Sequence, residues 1–485
     1  MKILLLCPPI REHDAPREFP TGLGLIAQVL RSNGHQIQVL DLNALRLSPG
    51  ETRERLQKLD FDACGIGGLI TVYSHVKRLA SLVKEIRPGT PVVMGGGVAS
   101  SVPELILIKT QADVVVQGEG EETAVELFHA LESGAPLSSV AGIYYREDGQ
   151  VRFTPPRPPI SDLDELPFPA WELFPMSIYL RYPIYGIGRD INLITSRGCP
   201  YSCTFCYQLF HHRSFRARSA SLVIEEIARL KREYDVQYIS FEDDLFIASK
   251  KRVYQFCDEL ERRRLPLRWN CAGRVNVVDR ELLKRMKSAG CTRILYGLES
   301  GSQRILDEYR KGVTVAEAKR AFLLTKEVGI EPLYTFMLGA FGETRETAQE
   351  TIDLCRELNI PLSSVHLTTP YPGTPLFDEA VARGKLKVDT WDNRERFVES
   401  LGDASKLTVN LTEMKDDELL DLRDKMRRET FLAFKRPGLV SNLRRRWRVY
   451  GVKGFLNLGQ RPRIHHYGIS TPSFEGQKHH QELVK

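Results

Sequence analysis

Eleven short apolar runs, each closed by a polar or glycine-rich turn and followed by a helix-like stretch, divide the first 368 residues. A chain that alternates strand and helix in this way is confined to parallel sheets with helices packed on their faces. Five runs come first: "KILLLC", "QIQVLDL", "ACGIGGL", "PVVMGGG" and "ADVVVQGEGE". They predict an α/β, doubly wound, Rossmann-like domain over 1–150. Residues 151–189 are crowded with proline, which removes amide donors and fixes φ, so this stretch reads as a linker. Six more runs follow: "INLITS", "QYISFE", "RWNCAG", "TRILYG", "EPLYTF" and "SSVHLT". Six β/α units over 190–390 predict a partial (β/α)6 barrel whose functional loops follow the strands. Strand signals then stop, and "TEMKDDELLDLRDKMRRETFLAF" predicts an α-helical C-terminal region over 391–485.

The apolar run at the N-terminus is far shorter than the roughly 20 residues of a membrane span. No other run is long enough, and a cytoplasmic location is expected. Nine cysteines in such a compartment are thiols or metal ligands and not disulfides.

Three of those cysteines fall within eight residues. "TSRGCPYSCTFCYQ" places Cys199, Cys203 and Cys206 on the loop after the first strand of the second series, as C-x3-C-x2-C. Structural zinc sites are completed by a further ligand pair, and no second CxxC exists; only His211 and His212 offer a fourth ligand. Three thiolates with one open position suit a 4Fe–4S cluster whose unique iron takes an exogenous ligand.

This motif resembles that of the radical S-adenosylmethionine (SAM) superfamily, CxxxCxΦC, with Phe205 as the aromatic. The resemblance implies that SAM chelates the unique iron and is cleaved to methionine and a 5′-deoxyadenosyl radical. It also implies SAM-binding positions on the later strand ends. Glu242, Asp243 and Asp244 in "SFEDDLF" match the acids that hold the SAM ammonium. Glu299 and Ser300 match the fourth-strand motif, and Gly339 in "FMLGAFGET" the fifth-strand glycine turn. Phe205 is expected beside the adenine, and Arg274 is a further candidate competing with a capping or surface role.

In the first domain no G-x-G-x-x-G follows the first strand, which counts against a nicotinamide or flavin dinucleotide. Glycines instead follow three later strands. Together with Pro8–Pro9, "TGLGLIAQVLRSNGH", "IGGLIT", "VVMGGGVAS" and "VVVQGEGEET", the layout resembles the cobalamin-binding domain of class B radical SAM enzymes. The resemblance implies cobalamin contacts at Gly67, Gly68, Thr71, Gly95, Gly96, Gly97, Gly118, Glu119 and Gly120. The D-x-H-x-x-G motif that ligates cobalt through histidine is absent, and Val98 stands where relatives often carry the histidine of "GGPH". His13 and His35 read as surface residues.

From Phe431 to Arg463 basic residues interleave with aromatic and aliphatic ones and no acid intervenes. A helical cap on the barrel, an interfacial helix on anionic lipid, and a nucleic-acid contact are the competing readings, the last the least favoured. The resemblance implies a cobalamin-dependent methyltransferase acting on an unactivated carbon of a small-molecule or lipid substrate, reduced by a partner such as flavodoxin or ferredoxin. The alternative is cyclisation, rearrangement, C–C coupling or oxygen insertion without methyl transfer. A tRNA methylthiotransferase would need further cluster cysteines in the first domain, where only Cys7 and Cys64 stand.

Overall fold

A computed structural model describes residues 1–434 except 12–13, 183–187, 209–213, 363–364 and 404–405. The basic segment beyond Phe434, His13, and the His211–His212 pair therefore lie outside the described residues.

Two sheets carry the fold. The first comprises β1 (Lys2–Cys7), β2 (Gln36–Asp41), β3 (Ala63–Gly67), β4 (Val92–Gly95), β5 (Val114–Val116), β6 (Ile143–Glu147) and β7 (Gln150–Phe153), in the order β2-β1-β3-β4-β5-β6-β7. The first five are parallel, at the five places expected from the sequence. β6 and β7 form an antiparallel hairpin that the alternation of strand and helix did not announce. Its turn, Asp148–Gly149, has positive φ at both residues (50° and 75°), and Asp-Gly is a favoured pair for such a tight turn. The sheet thus reaches Phe153, three residues into the segment read as linker.

β8 (Asp190–Leu193) opens the second sheet. A small antiparallel pair, β9 (Ser196–Arg197) and β10 (Arg216–Ala217), interrupts the series before β11 (Tyr238–Phe241), β12 (Arg268–Gly273), β13 (Cys291–Glu299), β14 (Glu331–Leu338) and β15 (His366–Leu367). All six strands of this sheet are parallel and in sequential order, a curled half-barrel with helices on its outer face. Alternate residues such as Ile191, Phe241, Trp269 and Tyr296 enter the main hydrophobic core, while Asn192, Ser240 and Asn270 are the buried polar members between them. Inside the barrel, Ser240 Oγ donates to Asn270 Oδ1 at 3.1 Å, and the Tyr238 hydroxyl meets Thr292 Oγ1 at 2.7 Å.

The two sheets share packing. Phe19 of the first domain stacks 4.2 Å from Trp171, and its backbone exchanges hydrogen bonds with the Asn192 amide on β8. Phe341, Leu376 and Phe397 join the core beneath β3 and β4. In the C-terminal region the described residues form two helices, Trp391–Ser400 and Asp416–Ala433, joined by a connection whose described residues are non-helical. His35, expected at the surface, is buried: it is 4% exposed, with its ring 4.9 Å from that of His129. The helix Glu121–Ser133 packs over it, which no local pattern around His35 reveals.

Candidate functional site

Strand order in the first sheet reverses between β1 and β3, and ligands on such sheets settle at the carboxyl ends beside this switch. A cavity of about 550 Å³ lies there. On one side it is lined by Pro8, Gly67, Gly68, Gly95–Gly97 and Gly118–Gly120, and on the other by Ile194–Arg197, Glu242 and Asp244 from the barrel mouth. The glycines allow backbone to form the wall. Gly96 has φ of 80°, and a Cβ there would stand 2.9 Å from the Gly68 carbonyl oxygen. Leu69 and Ile194, 51% and 40% exposed, present bare apolar surface to this space. Such a lining fits a large, partly apolar cofactor whose contacts are mainly backbone. Thr71 is not among the lining residues.

Glu119 lines the cavity but its carboxylate is already taken. It meets Arg216 at 2.6 Å and Arg197 at 3.4 Å, and accepts from the Ile160 amide at 2.8 Å. Glu121 pairs with Arg197. This buried group of two acids and two arginines joins the end of β5 to the β9–β10 pair.

The cysteine loop begins directly after β9. Asp244 Oδ2 accepts from the Gly198 amide at 2.9 Å and so fixes the approach to Cys199. Thr204 binds backbone on both sides, donating to Tyr309 at 2.9 Å and accepting from Leu376 at 3.0 Å. Phe205 packs edge-on against Tyr309, with centroids 4.9 Å apart, and under the Lys311 ammonium at 5.5 Å. All three cysteines are half-buried and free. Burial raises the Cys199 thiol, and burial followed by repulsion from its two neighbours pushes Cys206 up to about 12. Cys199 and Cys206 are thus poor anions on their own, and a cationic iron–sulfur centre resolves that conflict, so the donor set fits the cluster. Among the described residues no three His, Cys, Asp or Glu side chains converge tightly enough to hold a single metal ion.

Two cations face the loop. Arg274, at the end of β12, points Nη1 at Cys203 Sγ from 3.7 Å, and it is buried. Lys311 donates to Glu299 at 2.7 Å within a buried pair. Burial opposes the Lys311 ammonium, but Glu299 and Cys203 hold its pKa above the usual lysine value. Glu299 itself carries φ of 66°, a costly conformation outside glycine.

The three acids after β11 separate by environment. Asp243 is buried and accepts from the Thr195 and Ser196 amides and the Thr195 hydroxyl, with Arg252 3.9 Å away. Its oxygens are committed to Thr195 and Ser196 on the approach to the cysteine loop. Glu242 opens into the cavity with its side chain accessible, accepts from Ser240 Oγ at 2.8 Å, and has its pKa raised to about 7 by desolvation among the cavity walls and then by Glu18. Ser300 caps a turn through the Ser302 amide and meets Thr351 at 3.2 Å; Gly339 turns with φ of 99° and donates to Glu343 at 3.3 Å.

Sequence reasoning missed Arg197, Tyr207 and Lys311. Arg197 and Tyr207 flank the cysteine motif, a position that marks them for scrutiny, whereas nothing local marks Lys311.

Comparison with known proteins gives concordant matches. The Radical SAM superfamily matches residues 193–355, and the B12 binding domain family matches 12–128. An uncharacterized methyltransferase of Pyrococcus horikoshii is 35% identical over 81% of this chain and 85% of its own length. An anaerobic magnesium-protoporphyrin IX monomethyl ester cyclase of Rubrivivax gelatinosus is 29% identical over 95% of this chain and 83% of its own. The solved structure of the radical SAM methyltransferase TsrM of Kitasatospora setae superposes with a TM-score of 0.66 at 19% identity, over 79% of this chain and 75% of that one.

Proposed function

The chain belongs to the cobalamin-binding radical SAM enzymes, and within that family we propose that it is a methyltransferase acting on an unactivated carbon. The observation that carries the reading is the cavity whose walls come from the glycine strand ends of one sheet and the barrel mouth of the other. Such a space lets a group held on the first domain face a substrate held by the second.

When bound, the cluster and SAM supply radical generation by one-electron cleavage, and cobalamin supplies a methyl-carrying centre. The chain's residues hold and orient these groups. Cys199, Cys203 and Cys206 ligate the cluster. Glu242 and Asp244 offer carboxylates toward the SAM ammonium, where charge-assisted hydrogen bonds are strongest. The Glu299–Lys311 pair, the Phe205 ring, Ser300 and Gly339 shape the remaining side of that pocket. Gly67, Gly68, Gly95–Gly97, Gly118 and Gly120 bring backbone close to the cobalamin. Leu69 and Ile194 exclude water from the space between.

The substrate is a small molecule with an apolar portion, and a low-potential protein such as flavodoxin or ferredoxin delivers the electron. No helix among the described residues is long and apolar enough to cross a membrane. The likeness to the ester cyclase over nearly the whole chain favours a second reading, in which the radical step proceeds without methyl transfer.

Anaerobic reconstitution with iron, sulfide and hydroxocobalamin, followed by assay of SAM products, separates the two. Methyl transfer yields both S-adenosylhomocysteine and 5′-deoxyadenosine. 5′-Deoxyadenosine alone supports the second reading, and absence of both rejects radical chemistry.

A further inference from the structure

Both ends of the cysteine loop are tied to the glycine-rich strand ends of the first sheet. Arg197, two residues before Cys199, forks between Glu119 and Glu121 at the start of the helix Glu121–Ser133. Tyr207, immediately after Cys206, donates its hydroxyl proton to the Gly97 carbonyl at 2.6 Å and lies against the Ser101 hydroxyl. The fit at Gly97 is close, since a Cβ there would stand 3.3 Å from the Tyr207 oxygen. Gly97, Glu119 and Glu121 also line the cavity, as does Arg197. The anchors of the loop and the wall of the cavity are therefore the same residues.

We propose that these two ties couple occupancy of the cavity to the seating of the cysteine loop, with Arg197 and Tyr207 as positioning residues. The proposal rests on the reading that the cavity receives cobalamin. A ligand seated against Gly97 and Gly118–Gly120 orders the backbone that holds Tyr207 and Arg197. The loop between them then has less conformational freedom to lose when its three thiolates take up the cluster. Linkage makes the effect reciprocal: a loaded cluster tightens cobalamin binding by the same factor as cobalamin tightens the cluster. The four charged groups are nearly enclosed, with side chains 6–13% exposed, so the ion pairs are not screened away as surface pairs are.

The test titrates hydroxocobalamin, followed by absorbance, into the full chain with and without reconstituted cluster, and times chelator-driven loss of cluster absorbance with and without hydroxocobalamin. In the unaltered chain, cluster loading should tighten hydroxocobalamin binding at least about fivefold, the lower end of ordinary coupling. Hydroxocobalamin should likewise slow cluster loss. Tyr207→Phe removes only a hydroxyl; it should still bind each group while the ratio of affinities falls toward one. Arg197→Lys keeps the charge but not the fork, and should retain an intermediate ratio. Equal hydroxocobalamin affinity with and without cluster in the unaltered chain overturns the proposal, as does full coupling in both variants. No hydroxocobalamin binding at all rejects the cobalamin reading itself, and this inference falls with it.

Discussion

Arg274 aims one guanidinium nitrogen at the sulfur of Cys203 from 3.7 Å while its plane covers the ring of Tyr201, 3.7 Å from the centroid. The ring holds the long side chain in place, so the positive charge stays beside the Cys203 sulfur instead of relaxing into water. A cation beside a cluster ligand favours the reduced, more negative state. Arg274→Gln should therefore shift the cluster's midpoint potential to more negative values, and Arg274→Lys should restore part of the shift. A redox titration followed by electron paramagnetic resonance reads both, without substrate. An unchanged potential in Arg274→Gln would leave the arginine with packing alone.

Asp243 and Asp244 stand side by side but should behave differently. Asp243→Asn leaves Arg252 without its buried counter-charge and disturbs three hydrogen bonds to Thr195 and Ser196. Breaking a buried pair by removing one partner costs about 3–5 kcal/mol. Asp244→Asn weakens one bond to the Gly198 amide, a loss of about 1 kcal/mol. Denaturant titration of the cofactor-free chain should show the larger effect in Asp243→Asn. Cluster retention should fall in both.

Glu242 gives the fold a pH dependence of definite sign. Its pKa rises from 4.5 to about 7 on folding, through desolvation among the cavity walls first and the neighbouring Glu18 second. Between these values the folded chain keeps a proton that the unfolded chain has released, so the contribution to stability falls as pH rises from about 4.5 to about 7. Glu242→Gln cannot ionise. Its Tm, relative to the unaltered chain, should rise as pH is taken from 5 to 8 in the absence of SAM. A Tm difference independent of pH would show that the carboxyl does not titrate in this range.

Gly96 tests how closely the wall is built. Alanine there must adopt φ of 80° and place its Cβ 2.9 Å from the Gly68 carbonyl oxygen. The left-handed conformation alone costs roughly 1–2 kcal/mol. Gly96→Ala should lose hydroxocobalamin affinity about tenfold or more, the equivalent of that cost expressed at the site. Gly89→Ala, at a position with open space around it, should bind as the unaltered chain does.

The parts of the site legible beforehand were those written in adjacent residues. Cys199, Cys203 and Cys206 declare themselves by spacing, and the glycines after β3, β4 and β5 by following apolar runs. The β6–β7 hairpin was also written locally, in Asp148–Gly149, but the strand–helix rhythm drew attention away from it. His35 was misread because a lone polar residue after a helix looks solvated until another helix is laid over it. The partners of Asp243 and Glu119 were not legible, because an acid at a strand end reads the same whether it faces a ligand, an amide or an arginine.

The sequence by itself determined the parallel strands of two α/β sheets, the side of each on which loops gather, and the three closely spaced thiols on which the expected chemistry rests. These depend on period, turn residues and short spacings, which act over a few residues of chain. Only the tertiary structure decided which charges meet. Arg197 finds Glu121 across 76 residues, Arg274 finds Cys203 across 71, and Tyr207 finds Gly97 across 110. Such pairs form because the packing of Phe19, Trp171 and Phe341 into shared cores brings the two sheets' strand ends together. Residues remote along the chain are then buried side by side, where an unpaired charge is too costly to keep.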